Sequence, residues 1–383
     1  MPKSFKQHYN HQSITALGKT ITANYPDFPL ENFVHEASHN IESLEFKARS
    51  QQITQALVNH LPHDFADAIA TLMASLAPDF DALRVDAAQA GWTIQDFAPE
   101  GISGWMIMPC ADFVALRGVT DAHFALSMTA LEAMTSRFSA EFAIRPFLRD
   151  FPKRTLAQCL HWTKHSNQHV RRLASEGTRP VLPWGMKLPE LGADPKLSLP
   201  ILDALKDDPS DYVRKSVANH LNDHSKLHPD WVCATATSWW QLDKARQRLL
   251  KHGCRTLLKQ GHIQTLALFG FGGVQANVVL TLSSASILMG GAIDIQLSIE
   301  STSAQEQRMM IDYVVWHQKA NGTKSPKVFK WKELVIPAEQ TVEIIKSHTI
   351  KPISTRTYYA GEHSIEVQIN GTSCGHVDFE LEL

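Results

Sequence analysis

Three carboxylates, one indole and a set of guanidiniums stand in stretches where their types could act on a charged substrate. In Val170-Arg-Arg-Leu-Ala-Ser-Glu-Gly177, helical spacing gathers Val170, Leu173, Ala174 and Gly177 into a buried stripe and sets Arg172 and Glu176, four apart, on one face. Arg before Glu is the less favourable order. A surface bridge of this kind contributes about 0.3–0.5 kcal/mol at best, and on these residues alone it is the simpler reading. Glu141 lies among Phe138, Phe142 and Ile144, apolar neighbours that make a carboxylate unusual there. Asp223 closes Asn219-His-Leu-Asn-Asp223, where position alone would make it a loop residue. Trp184, in Val-Leu-Pro-Trp-Gly, either plugs a proline-rich connector or offers an aromatic face to a base or cation. From Asp243 to Lys259 there are six basic residues and one acidic one. A solvated helix is the default for such a run, but Arg246, Arg248 and Lys251 in so unbalanced a segment point to phosphate.

Other chemistries fail on context. Gly371-Thr-Ser-Cys-Gly375 has the outline of a nucleophile elbow, but only eight residues follow it, in strand pattern. The Gly270-Phe-Gly-Gly273 run opens no helix, so it is no dinucleotide fingerprint. Neither a P-loop nor a zinc-protease motif occurs, and the 19 histidines show no ligand spacing, so no metal and no cofactor is expected. Five scattered cysteines without C-x-x-C spacing argue for a reducing compartment. The N-terminus lacks an apolar signal core and no run of 18 apolar residues exists. The expectation is a cytoplasmic protein with no membrane association. With 37 Lys+Arg against 39 Asp+Glu, any polyanion must be met by local rather than global charge.

These residues are positioned by a repeat. Leu156–Glu176 and Leu199–Asn219 align at an offset of 43. Leu156, Cys159 and Trp162 fall on Leu199, Leu202 and Leu205, and Val170-Arg171-Arg172 falls on Val213-Arg214-Lys215. Two helices per unit at this period is the pattern of HEAT-like repeats, which stack so that each buries its neighbour's apolar face. The repeated basic pair makes Arg171, Arg172, Arg214 and Lys215 candidates for phosphate contact. Helical periodicity runs from about residue 13 to 260. One helix is expected from Phe65 to Leu76 with Pro62 in its first turn, another over Phe124–Phe147 ending or kinking at Pro146, and a third over 243–259 with Leu242, Ala245, Leu249 and Leu257 on its core side. Beyond 273 seven short alternating segments follow: 278–282, 293–299, 311–317, 328–335, 342–345, 364–369 and 376–381. Asn321-Gly322 and Asn370-Gly371 are expected as type I′ hairpin turns. This is the pattern of an immunoglobulin-like sandwich. The expected organisation is thus an α-solenoid of HEAT-like repeats followed by an all-β sandwich: a tail or cap over 1–20, a repeat domain over 21–262, a glycine hinge over 263–273 and a sandwich over 274–383.

The strings RFSAEFAIRPFL, VRRLASEGTRPVLPWG and YVRKSVANHLND resemble the AlkC branch of the bacterial DNA alkylation repair glycosylases. The tail, with IDYVVWHQKANGTKSPKVFKWKE and TRTYYAGEHSIEV, resembles the immunoglobulin-like domain that many members carry. The resemblance covers nearly the whole chain. It implies hydrolysis of the N-glycosidic bond of cationic alkylated bases, chiefly 3-methyladenine and also 3-methylcytosine, without taking the base fully out of the stack. It implies Glu141, Glu176 and Asp223 as functional carboxylates, Trp184 as the aromatic, Arg172 as a phosphate anchor and Arg179 as a further DNA contact. The expected partner is double-stranded DNA containing alkylated bases, met by a monomer with no obligate protein partner. The competing expectation is a non-catalytic HEAT-like scaffold for DNA or protein. A scaffold needs the basic face but not three carboxylates converging on it.

Overall fold

The computed structural model describes residues 5–79, 100–353 and 356–383. Sixteen α-helices precede eight strands among them. Contacts divide the chain into two compact units, one of residues 1–228 and 242–253, the other of 229–241 and 254–383.

The first unit is helical. Helices α1 (His11–Asn24), α2 (Leu30–Ser38), α3 (Phe46–His60), α4 (Phe65–Ala74), α5 (Ile107–Gly118) and α6 (Phe124–Thr135) come first. Residues 5–20 are part of the packing: Tyr9 and Ile14 are fully buried, and an Asn10–Ser13 capping box starts α1. Asp64 caps α4 through the Asp67 N–H. Pro62 therefore precedes the cap instead of lying in the first turn, and its carbonyl accepts from Arg117.

The long helix expected over 124–147 is two helices. α6 stops at Thr135 and α7 spans Ile144–Asp150. Hydrogen bonds hold the interruption: Arg137 Nη1 donates to Ala133 O at 2.8 Å and its Nε to Ala77 O at 2.6 Å, and Ala140 N donates to Thr135 Oγ1 at 3.2 Å. Pro146 falls at the third position of α7, where an N–H would have no helical partner, so it neither ends nor kinks a helix. The result for function is that Phe138–Phe142 run as a non-helical linker.

The repeats follow. α8 (Pro152–Trp162) and α9 (Gln168–Glu176) form the first unit, α11 (Leu199–Leu205) and α12 (Asp211–Asp223) the second, with the short α10 (Pro189–Ala193) in the connector. The aligned apolar positions Cys159, Trp162, Val170, Leu202, Leu205 and Val213 are all essentially buried. α9 packs on α8 and on α12. α14 (Lys244–Gly253) packs on α12. The basic run is thus two helices, α14 and α15 (Arg255–Lys259), separated at Cys254. Leu249 and Leu257 are buried as expected, but Leu242 is 89% exposed and Arg246 takes a core position at 1%.

The second unit holds α13 (Pro229–Ser238), α15, α16 (Ile263–Leu268) and the sandwich. All seven expected strands are present as β1 (Ala276–Leu282), β3 (Ala292–Ser301), β4 (Gln307–Gln318), β5 (Lys324–Ile336), β6 (Thr341–Thr349), β7 (Gly361–Ile369) and β8 (Thr372–Glu382). An additional short β2 (Ser286–Leu288) pairs parallel with β8. One sheet is ordered β1-β3-β6, the other β2-β8-β7-β4-β5. Period-two burial of Ile293, Ile295, Leu297 and Ile299 on β3 faces Ile311, Tyr313 and Val315 of β4 and Ile365 and Val367 of β7 in one core. Asn370 and Gly371 both have positive φ, as a type I′ turn requires. Asn321 does not. There Gly322 N donates to Lys319 O, Lys319 N donates to Thr323 O, and Gly322 alone has positive φ, a longer loop of a type I turn followed by a left-handed glycine. The expected hinge over 263–273 contains α16, and its carbonyls are held: Phe269 O accepts from Arg308, and Gly272 O from the Asn370 side chain at 2.8 Å.

Candidate active site

A cavity of about 720 Å³ opens in the first unit. One wall is aromatic: Phe46, Trp105, Phe138, Phe142 and Trp184. The other carries ions: Glu141, Arg172, Glu176 and Arg179. The linker between α6 and α7 supplies Glu141, α9 supplies Arg172 and Glu176, and the connector after α9 supplies Arg179 and Trp184. Sequence reasoning thus named five residues of this pocket. Asp223, at the end of α12, does not line it and stands behind Arg179.

These groups form one alternating row. Glu141 Oε2 accepts from Arg172 Nη1 and from Ser139 Oγ at 2.8 Å. Arg172 Nη2 lies 3.4 Å from Glu176 Oε1, which also accepts from Arg179 Nη1 at 2.7 Å. Arg179 then grips both oxygens of Asp223, Nε to Oδ2 at 2.8 Å and Nη2 to Oδ1 at 3.0 Å. Glu176 Oε2 accepts from Ser216 Oγ at 2.6 Å. Glu176, Arg179 and Asp223 have side chains 8–9% exposed, so this is no surface bridge. Burial works to lower the pKa of Arg172, but Glu141, Glu176 and Tyr212 outweigh it and the value stands raised. Burial likewise opposes Arg179, yet its bonds to Asp223 and Glu176 raise it further. Both guanidiniums are charged at any working pH. The row has three carboxylates to two guanidiniums, and the charge of buried Arg145 acts on all three carboxylates.

Tyr212 lies under Arg172, guanidinium carbon 4.9 Å from the ring centroid. The Trp184 indole is 60% exposed, with the Phe46 and Phe5 rings 6.0 and 6.5 Å away. It is therefore not a buried plug. Phe138 and Phe142 of the aromatic wall stand beside Glu141 in sequence, but Phe46 and Trp105 left no signal: they come from α3 and the approach to α5, far away along the chain. Ser139 and Ser216 were equally silent, since a serine on a helix or linker is unremarkable until its carboxylate partner is known.

The expected phosphate contacts separate into two groups. Arg171 is bound bidentately to Asp208, Nε to Oδ2 at 2.6 Å and Nη2 to Oδ1 at 3.0 Å, and Arg246 pairs with Asp207 from its buried position. Arg172 and Arg179 belong to the row just described. A phosphate would have to compete with carboxylates for all four. Arg214 pairs with Asp211 at the surface. Together with exposed Lys215 and Arg248, and with His252, it lines a shallow depression between α12 and α14. Lys251 lies on the same helix as Arg248. Among the described residues no group of His, Cys, Asp and Glu has the arrangement of a metal site, and no helix is long and apolar enough to cross a membrane.

Helical repeats that carry a carboxylate-rich pocket, followed in the chain by an immunoglobulin-like sandwich, make a two-part protein whose class the comparisons with known proteins give. The family model described as DNA alkylation repair enzyme matches residues 133–235, the segment holding every member of the ion row. The model described as uncharacterised protein YhaZ, C-terminal Ig-like domain, matches 277–383. The Bacillus subtilis (strain 168) protein described as uncharacterized protein YhaZ is 36% identical over 379 residues, 98% of this chain and 99% of its own. The solved structure of Pseudomonas fluorescens alkylpurine DNA glycosylase AlkC, bound to DNA containing an abasic site analog, is similar over 100% of both chains with a TM-score of 0.87 and 34% identity. The chain belongs to this AlkC/YhaZ family of DNA alkylation repair glycosylases.

Proposed function

We propose that the chain is a monofunctional DNA N-glycosylase that hydrolyses the N-glycosidic bond of cationic N3-alkylated bases, 3-methyladenine and 3-methylcytosine, in double-stranded DNA. It acts as a monomer and leaves the base substantially in the stack, in contrast to enzymes that extrude their target into a closed pocket. The observation that carries this reading is the row Glu141–Arg172–Glu176–Arg179–Asp223 facing an aromatic wall.

The chemistry follows from charge. An N3-methylated base is already cationic and departs without a general acid. What remains is to stabilise an oxocarbenium-like sugar and to aim a water at it. A fixed row that holds Glu141 and Glu176 at the pocket side does the first electrostatically, since its charges are set before the reaction begins. The second needs a carboxylate oxygen with a lone pair to spare. Both oxygens of Glu176 and of Asp223 accept hydrogen bonds from the protein. Glu141 uses Oε2 for Ser139 and Arg172, while Oε1 accepts none from the described residues. Each carboxylate oxygen has a second lone pair, but Glu141 lines the pocket with an oxygen that accepts nothing from the described residues, so we assign the water to it. Trp184 and its neighbours favour the cation by about 0.5–2 kcal/mol through their ring faces, a preference that a neutral base does not enjoy. Lys215, Arg248 and Arg214, with Lys251, supply phosphate contacts.

The test is release of free base from duplex DNA treated with a methylating agent, with the products identified by chromatography. Release of 3-methyladenine and 3-methylcytosine over unmodified bases is expected. Tight DNA binding with no released base would instead establish the non-catalytic scaffold.

A further inference from the structure

Trp184 stands at a place in the chain where an indole is conformationally disfavoured. In Leu182-Pro183-Trp184-Gly185 the Gly185 N–H donates to the Leu182 carbonyl at 3.0 Å, and Trp184 has φ 64°. Proline at the second position and positive φ at the third are the marks of a type II turn, whose third position favours glycine. A bulky residue held there is strained, and such strain persists only where the surroundings over-determine it.

Two cations do this. Arg145, on α7 and fully buried, donates Nη1 to the carbonyls of Gly177 and Arg179, both at 2.8 Å. Its Nε reaches Met186 O at 2.5 Å and its Nη2 reaches Pro180 O at 3.5 Å. All four acceptors are backbone carbonyls of the connector that contains the turn. A Cβ on Gly185 would lie 3.3 Å from Arg145 Cδ, so the turn also rests on the arginine's stem. From the other side Lys47 Nζ donates to Trp184 O itself at 2.5 Å. The donors of this buried guanidinium go to carbonyls and set the connector's shape, while its charge acts at longer range on Asp223, Glu141 and Glu176.

We propose that Arg145, assisted by Lys47, is a positioning residue for base excision: it holds the 177–186 connector in the strained turn that keeps Trp184 in the pocket wall before DNA arrives. This rests on the glycosylase reading above. Arg145 need not touch DNA; it acts through Trp184.

A double-mutant cycle on the full chain tests it, read as single-turnover base release at saturating protein, DNA Kd and Tm. Trp184→Gly and Trp184→Ala both remove the indole, and only glycine relieves the turn, so Trp184→Gly should melt about 2 °C above Trp184→Ala. Trp184→Gly should slow excision about 10–30-fold. Arg145→Lys should slow it about tenfold with DNA Kd changed less than about threefold. The double variant should be no slower than the slower single, because the two act as one unit. Lys47→Met, at an exposed site, should show a smaller loss that vanishes in the Trp184→Gly background, and it carries the same test if Arg145→Lys does not fold. Rate losses that multiply in the double variants, or a Trp184→Gly protein that melts no higher than Trp184→Ala, would overturn the positioning role alone. Wild-type protein that releases no base would sink the glycosylase reading and this role with it.

Discussion

The two repeats share a frame and differ in what the frame carries. At an offset of 43, Val170 and Val213 are buried alike, and Arg171 and Arg214 both turn toward the segment around Asp208. Glu176, however, aligns with Asn219, Arg179 with Asn222, and Gly177 with His220. The first repeat has ions where the second has amides, and the second contributes Ser216 and Asp223 to the first repeat's row. Repetition thus supplies the platform, and the chemistry sits at the positions where the copies have diverged.

The sharpest way to test this is at the aligned pair Glu176 and Asn219. Glu176→Gln should lower base release about 10³-fold while DNA affinity stays equal or rises, because the carboxylate acts on transition-state charge and repels ground-state phosphate. Asn219→Ala, whose side chain bonds to His252 at 2.8 Å, should change release less than about threefold. Equal losses would mean that the register, not the charge, carries activity.

Stability should split in the same way. The Arg171–Asp208 pair is buried, with side chains 13% and 3% exposed, whereas the Asp211 partner of Arg214 is 83% exposed. Arg171→Met should cost about 3 kcal/mol in urea unfolding, since it strands a buried carboxylate; Arg214→Met should cost less than about 1 kcal/mol. Comparable costs would erase the distinction.

Acid should discriminate the copies too. His220 occupies the register of Gly177. Burial first, then the charge of His224, hold its pKa well below the ordinary histidine value, and burial brings His224 down to about 4. Both groups are bound neutral in the fold, so the unfolded chain takes up protons more readily. The stability they carry is present above about pH 6.5 and is lost as pH falls toward the folded-state values. His220→Asn should flatten the fall in Tm between pH 6.5 and 5, and an unchanged profile would remove the histidine from the account. The smallest expected effect is in salt dependence. Lys215→Ala should flatten the slope of DNA affinity by about one unit. Arg172→Ala should flatten it by less, because Glu141 and Glu176 already occupy its guanidinium.

What was legible in the sequence is what recurs. The apolar positions repeat every 43 residues and the strands alternate with period two, so both halves of the fold could be read directly. The break at 136–143 could not, because apolar periodicity runs through it and the bonds that hold it open, such as Arg137 to Ala77 O and Gly104 N to Arg137 O, reach distant partners. Arg246 reads as a solvated cation until Asp207 is brought beside it. The Arg172–Glu176 spacing was visible as a weak pair. Its extension to Glu141 and Asp223 depends on partners 31 and 44 residues away in sequence.

The alternating row also constrains how the sequence can drift. Each interior member has a neighbour of opposite sign on both sides, so replacing one removes an ion pair from two partners at once in a buried setting. A descendant that changes Arg179 gains nothing unless Glu176 or Asp223 changes with it. Viable variation at these positions must therefore arrive in pairs, and homologous chains should show Arg179 substituted only together with Glu176 or Asp223.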